Sequence, residues 1–207
     1  MKYYSLISVI CLALLLTNCM NSPVPERAED VSPVETGEII PDVTLKTVFN
    51  HDANLRELVS EKPTLLIFYR GGWCPYCNKH LSQLAEIEEQ LYDRGIQVLA
   101  VSPDKPSYLK ESTMEHELNY RLLSDSDMNA TKKFGLAFKV DTVTVNRYKK
   151  NGLDLAKRSG YDHYMLPVPA AFLVDTTAVI RYRYFNPDYT VRIENDEILS
   201  AVGKILE

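Results

Sequence analysis

The stretch Phe68-Tyr69-Arg70-Gly71-Gly72-Trp73-Cys74-Pro75-Tyr76-Cys77 constrains this chain more than any other, because an apolar run ends there in two glycines and two cysteines. Thr64 to Tyr69 reads as a short buried strand, Gly71 and Gly72 break it, and an amphipathic pattern begins beyond Cys77. The cysteines therefore stand at a strand-to-helix junction. A helix N-terminus carries partial positive charge and unpaired N–H groups, both of which favour a thiolate over a thiol. A thiolate placed there can attack a disulfide or a peroxide.

The remainder of the chain narrows that chemistry. At 207 residues and 45% hydrophobic content, one domain of ordinary size is expected, with enough core to need no staples. A net charge of −5 supplies no basic face, so nucleic acid is set aside as a partner. Met1-Lys2 followed by the apolar run Tyr3 to Leu16 has the layout of a secretory signal peptide over residues 1–18. Leu16-Thr17-Asn18-Cys19 resembles the end of a bacterial lipoprotein signal. That resemblance implies cleavage before Cys19, lipidation of Cys19, and an exported envelope protein anchored to a membrane and facing the periplasm. Residues 19–38, rich in Pro, Glu, Ser and Val, read as a disordered tether, and 39–207 as the folded domain. Of the four cysteines, only Cys74 and Cys77 then remain in the folded body.

Along the domain, Val43 to Val48 suits an extended piece, Leu55 to Val59 a helical turn, and Thr64 to Tyr69 a central strand. Leu81, Leu84, Ile87 and Leu91 have helical spacing up to Arg94-Gly95, and Ile96 to Val101 is another strand. Asp104-Lys105-Pro106 reads as the capped start of a helix reaching about Leu118. A brief strand over 121–123, a short helix over 129–134, and one or two short helices inserted between Asp141 and Gly160 follow. A hairpin over 170–174 and 179–185 and a helix over 194–206 complete the chain. This order is that of a thioredoxin-like α/β fold, a three-layer α/β/α sandwich around a mixed central sheet.

Arg70-Gly71-Gly72-Trp73-Cys74-Pro75-Tyr76-Cys77, Gly135-Leu136-Ala137-Phe138 and Leu166 to Asp175 together resemble the peroxiredoxin-like branch of the alkyl hydroperoxide reductase and thiol-specific antioxidant (AhpC/TSA) family, over roughly residues 38 to 185. The resemblance implies an antioxidant oxidoreductase that reduces peroxides through the Cys74/Cys77 pair, is recycled by a thioredoxin-like donor and needs no cofactor. A typical peroxiredoxin carries a proline, a threonine four residues later and the peroxidatic cysteine three after that. In this register the three positions are Arg70, Cys74 and Cys77, so the resemblance gives Cys77 the peroxidatic place while the proline and threonine are absent. The family's activating arginine falls at or near Pro169, where a thioredoxin places its cis-proline.

Two assignments of the sulfurs stay open at this stage. In Cys-x-x-Cys redox proteins the first cysteine is the more exposed attacker and the second resolves the mixed disulfide, which makes Cys74 the nucleophile. The peroxiredoxin register reverses the roles. Trp73 is a candidate shield or contact for the thiolate, and Arg70 a candidate stabiliser of negative charge. The alternatives to peroxide reduction are reduction of envelope protein disulfides and a non-catalytic, thioredoxin-like binding lipoprotein. Half a zinc site, a purely structural disulfide and a glutaredoxin are weaker readings of the same cysteines.

Overall fold

The computed structural model describes residues 23–206, with the side chains of Ile205 and Leu206 excepted. The signal segment and Cys19 lie outside the described residues. Among the described residues nine strands run in chain order as β1 (Thr44–Thr47), β2 (Asp52–Asn54), β3 (Thr64–Phe68), β4 (Gln97–Ser102), β5 (Arg121–Ser124), β6 (Ala137–Lys139), β7 (Met165–Pro167), β8 (Ala170–Val174) and β9 (Ile180–Phe185). The helices are α1 (Leu55–Glu61), α2 (Pro75–Glu86), α3 (Glu88–Asp93), α4 (Pro106–Glu115), α5 (Asn129–Lys133), α6 (Thr142–Lys150), α7 (Leu155–Ser159) and α8 (Asn195–Leu206).

Seven strands form one sheet in the order β2-β1-β5-β4-β3-β8-β9, and β6 pairs with β7 in a separate ladder. The β3–β4 and β4–β5 pairs are parallel, while β8 is antiparallel to β3. The sheet is therefore mixed, as the element order predicts. All five residues of β3 are buried, the signature of a strand covered on both faces. Its side chains alternate between two cores. Leu65, Ile67 and Tyr69 join Leu81, Leu84, Leu91, Leu109, Ile198 and Val202 of α2, α3, α4 and α8. Leu66 and Phe68 meet Leu55, Val59, Phe134 and Phe172 on the opposite face, under α1 and α5.

Three sequence expectations are corrected. The stretch from Pro23 to Glu38 is not a free tether: it lies across the second core as a strap. Lys139 N–H donates to Pro25 O at 2.8 Å, Val34 N–H to Phe134 O at 3.1 Å and Gly37 N–H to Ile180 O at 2.8 Å. Arg183 donates to Pro33 O at 2.9 Å and pairs with Glu35 at 2.9 Å, and Ala28, Val31 and Val34 pack on the core beneath. A low density of apolar residues hides this, because backbone groups and the side chains of Arg183 and Lys139 hold the strap rather than a periodic stripe. The remaining tether residues, 19–22, lie outside the described residues.

The second correction concerns the helix after Cys77, which is interrupted at Ile87 (φ −106°, ψ 2°) and so becomes α2 and α3. The third concerns Pro169, which has no cis bond; none occurs among the described residues. Val168 N–H bonds Leu136 O at 2.9 Å, and Pro169 O accepts from Asn186 at 3.2 Å.

Candidate active site

The site forms at the carboxyl ends of the parallel strands β3 and β4, where loops leave an α/β sheet beside a change of strand direction. From β3 the chain turns through Gly71 and Gly72. Gly71 has φ +138°, and a Cβ there would lie 2.4 Å from Trp73 Nε1 and 2.9 Å from Asp104 Oδ2; at Gly72 it would lie 2.1 Å from Ser112 Oγ. Only glycines let this backbone approach α4 and Asp104 so closely. Cys74 then occupies the N-cap of α2, Pro75 its first position, and Cys77 its first turn.

Both cysteines are free thiols and both are buried, each 1% exposed. Cys74 is thus not the exposed sulfur that its place in the motif suggests, and the two differ instead in electrostatics. The Cys74 thiol drops to about 6, first through a hydrogen bond from Cys77, then through its backbone bond and the charges of Arg70 and Arg192, against the opposing effect of burial. Burial pushes the Cys77 thiol up, and donating to Cys74 raises it further. The pair therefore ionises first at Cys74 while Cys77 keeps its proton. At pH 7 a group of this acidity is mostly thiolate, whereas an ordinary cysteine is mostly thiol.

Arg70, far from being a solvated strand-end residue, is 4% exposed. Its Nη2 donates to Tyr148 Oη at 2.6 Å, and its guanidinium lies 4.0 Å from the Tyr189 ring centroid and 5.1 Å from that of Trp73. Trp73 is half-buried against Tyr148, their centroids 5.7 Å apart. Pro169 follows β7 and adjoins the Ala170–Phe68 pair, which places it next to the strand end that carries the motif.

Several residues escaped the sequence reading. Arg192, 115 positions from Cys77, brings Nη2 to 3.4 Å from Cys77 Sγ. Its Nε and that of Arg70 are buried with no hydrogen-bond partner among the described residues, and neither guanidinium pairs there with a carboxylate. Two cations, Arg70 buried and Arg192 half-buried, thus act on the sulfur pair, and Arg192 supplies from another loop the positive charge that the family's pattern places near Pro169. His80, one turn beyond Cys77, is held near 4 by burial and by Arg192, and so stays neutral. Asp104 is not the helix cap expected of it: its side chain turns inward, accepts Gly72 N–H at 2.8 Å and pairs with Arg158. His163, by contrast, is used structurally, bonded to Ser126 O at 2.9 Å and accepting Met165 N–H at 3.0 Å. No sequence signal marks Arg192 or Tyr189, which lie in an irregular loop. Asp104 could have been suspected from its place immediately beyond a parallel strand.

The charges make a testable statement. Alkylation of Cys74 should rise with pH through about 6, because the reactive thiolate is lost as pH falls through that value. Arg192→Ala should move the midpoint upward and slow alkylation at pH 6 by up to about tenfold. An unmoved midpoint would remove Arg192 from the site.

Comparison with known proteins bears on the family and the fold. Peroxiredoxin Bcp of Escherichia coli K12 is 29% identical over 106 residues, 51% of this chain and 67% of that protein. The chloroplastic peroxiredoxin Q of Gentiana triflora is 28% identical over 134 residues, 62% of this chain and 61% of its own length. In fold, peroxidoxin BcpB of Mycobacterium tuberculosis superposes with a TM-score of 0.64 at 18% identity, covering 83% of this chain and 98% of that one. A thiol peroxidase of Chromobacterium violaceum gives 0.64 at 20% identity, covering 86% and 91%. With the family's model matching residues 36–183, the chain that carries the Cys74/Cys77 pair belongs to the AhpC/TSA family.

Proposed function

We propose that this protein is a thiol-dependent peroxidase in which Cys74 attacks and Cys77 resolves. The observation that carries the reading is the Cys74 thiolate at the start of α2, with Arg70 and Arg192 beside the sulfur pair, in a chain of this family. In the first step the Cys74 thiolate attacks the terminal peroxide oxygen. The O–O bond breaks, Cys74 becomes a sulfenic acid, and the leaving alkoxide or hydroxide takes a proton from water. Arg70 and Arg192 are placed to lower the energy of the charge passing from sulfur to oxygen. The Cys77 thiol then displaces water from the sulfenic acid, giving the Cys74–Cys77 disulfide. Two thiols of a thioredoxin-like donor reduce that disulfide and leave oxidised themselves.

The same geometry favours a second reading, since a low-pKa first cysteine at a helix N-cap followed by a buried partner also suits reduction of protein disulfides. Supplying reduced thioredoxin or dithiothreitol and following hydrogen peroxide loss beside insulin reduction separates the two. Peroxide loss should dominate; insulin reduction without peroxide loss would overturn the assignment. No activity in either assay, with a pair that cannot be cycled, would leave the non-catalytic binding reading. The proposal extends to location: signal cleavage and a lipid on Cys19 would hold the domain at an envelope membrane, and Cys19→Ser should abolish incorporation of labelled fatty acid.

A further inference from the structure

The inserted helices α6 and α7 pose a question that packing does not answer, because α6 buries no side chain in either core. Nine exposed or half-buried residues form a helix with a basic last turn and an Asp141 cap, yet no apolar stripe explains why it lies against the domain. Its inward contacts go to the cysteine loop. Tyr148 accepts the Arg70 hydrogen bond at 2.6 Å, and its ring closes over Trp73. One turn of α7 provides a second anchor. Arg158 Nε donates to Asp104 Oδ1 at 2.9 Å and Nη2 to Oδ2 at 2.5 Å, and its guanidinium stacks on Tyr108 at 3.8 Å. The Arg158 carbonyl also accepts Lys105 N–H at 2.9 Å.

These anchors end on atoms that set the position of Cys74. Asp104 Oδ2 takes the N–H of Gly72 at 2.8 Å, and Asn78 on α2 donates to its carbonyl at 2.8 Å, so Gly72 is held at both its amide and its carbonyl. Cys74 N–H in turn donates to Gly71 O at 3.1 Å. A tilt of the Gly71–Gly72 backbone would therefore carry Cys74 away from the N-cap. Arg70 depends on the insertion in a different way. Its Nε has no partner among the described residues, and Tyr148 is the oxygen partner seen for its Nη2, so the hydroxyl decides where the guanidinium rests between Trp73 and Tyr189.

We propose that the α6–α7 insertion is a positioning element for the reactive cysteine: Tyr148 holds Arg70 beside the sulfurs, and Arg158 locks Asp104 onto Gly72 so that Cys74 stays at the head of α2. This rests on Cys74 being the nucleophile of the proposed reaction, but the property it governs, thiolate formation, is present without any peroxide. The charged and titratable groups around the pair are Tyr69 and Arg70 beyond β3, Cys77 and His80 on α2, Arg192 with Asp188 in the loop before α8, and Asp104 with Arg158 behind Gly72. Tyr148 acts through Arg70, and Arg158 through Asp104; neither touches a sulfur.

The test is the pH dependence of Cys74 alkylation by iodoacetamide, measured on the reduced protein together with thiolate ultraviolet absorbance. Tyr148→Phe keeps the ring and removes the acceptor. The double variant Asp104→Asn/Arg158→Gln removes both charges together, so that no buried charge is stranded. Val143→Ser, at an α6 position 79% exposed, is the control. Tyr148→Phe and the double variant should each move the midpoint upward and slow alkylation at pH 6 about three- to tenfold, with Tyr148→Phe still folded at the assay temperature. The Val143→Ser midpoint should stay at the wild-type value. A wild-type midpoint in Tyr148→Phe and in a folded double variant overturns the proposal. If both midpoints move while the wild type consumes no peroxide, the positioning role stands and the peroxidase reading falls.

Discussion

Cys74→Ser is expected to abolish peroxide turnover, by at least about a thousandfold, because the variant has no thiolate to attack with. Cys77→Ser should behave differently. It keeps the sulfur held at the N-cap of α2, so one equivalent of peroxide is consumed and a sulfenic acid accumulates on Cys74, but no disulfide closes and turnover stops. The first half-reaction should also speed up as pH rises through about 6, with the ionisation of Cys74. Trapping the sulfenic acid with a dimedone-type reagent, followed by peptide mass spectrometry, locates it. Sulfenic acid on Cys77 in the Cys74→Ser protein, formed at a rate near that of wild type, would reverse the roles and restore the register that the family motif suggests. The electrostatics argue against that outcome, since Cys77 keeps its proton and gives it towards Cys74.

Phe172→Ala should produce the largest loss of stability. Phe172 is fully buried on the face of the sheet opposite the cysteines, with its ring centroid 5.4 Å from Phe134 and 6.1 Å from Phe68, which are themselves 4.8 Å apart. Truncation removes the aromatic transfer energy and leaves a cavity that the two remaining rings and a strand cannot collapse around, a cost of about 3–5 kcal/mol. Against a total of roughly 5–15 kcal/mol this is a large share. The melting temperature should drop by about 6–20 °C, given some 2–4 °C per kcal/mol at this chain length. The denaturant midpoint should fall with little change in slope. Since Phe172 faces away from the site, the pH midpoint of Cys74 alkylation should stay where it is in the folded variant. A loss under about 1 kcal/mol would mean that the second core is not packed as described.

Much of the fold is legible in the chain because its signals are local. The apolar run of β3, the helical spacing of Leu81, Leu84 and Leu91, Gly95 ending α3 and Pro106 opening α4 each act within a few residues. Asp141 and Asp154 cap two helices in the polar insertion, where the sequence allows one or two. What escaped is the pairing of short or weakly apolar pieces. The three-residue strands β2, β6 and β7 carry too little periodicity to announce themselves, and the Pro23–Glu38 strap is held by backbone bonds and by Arg183, 150 residues from Pro33.

The candidate site divides in the same way. By itself, the sequence determined that a Cys-x-x-Cys pair would stand where a strand gives way to a helix, behind two glycines, in a mixed-sheet α/β domain. Strand, break, proline and helix are contiguous, so local backbone physics suffices. Only the tertiary structure decided which sulfur carries the charge. That depends on Arg192 arriving from the loop before α8, on Arg70 being buried between Trp73 and Tyr189, and on Asp104 turning inward to Gly72. Coulombic and hydrogen-bond effects on an ionisation act over a few ångströms of space, whatever the separation along the chain.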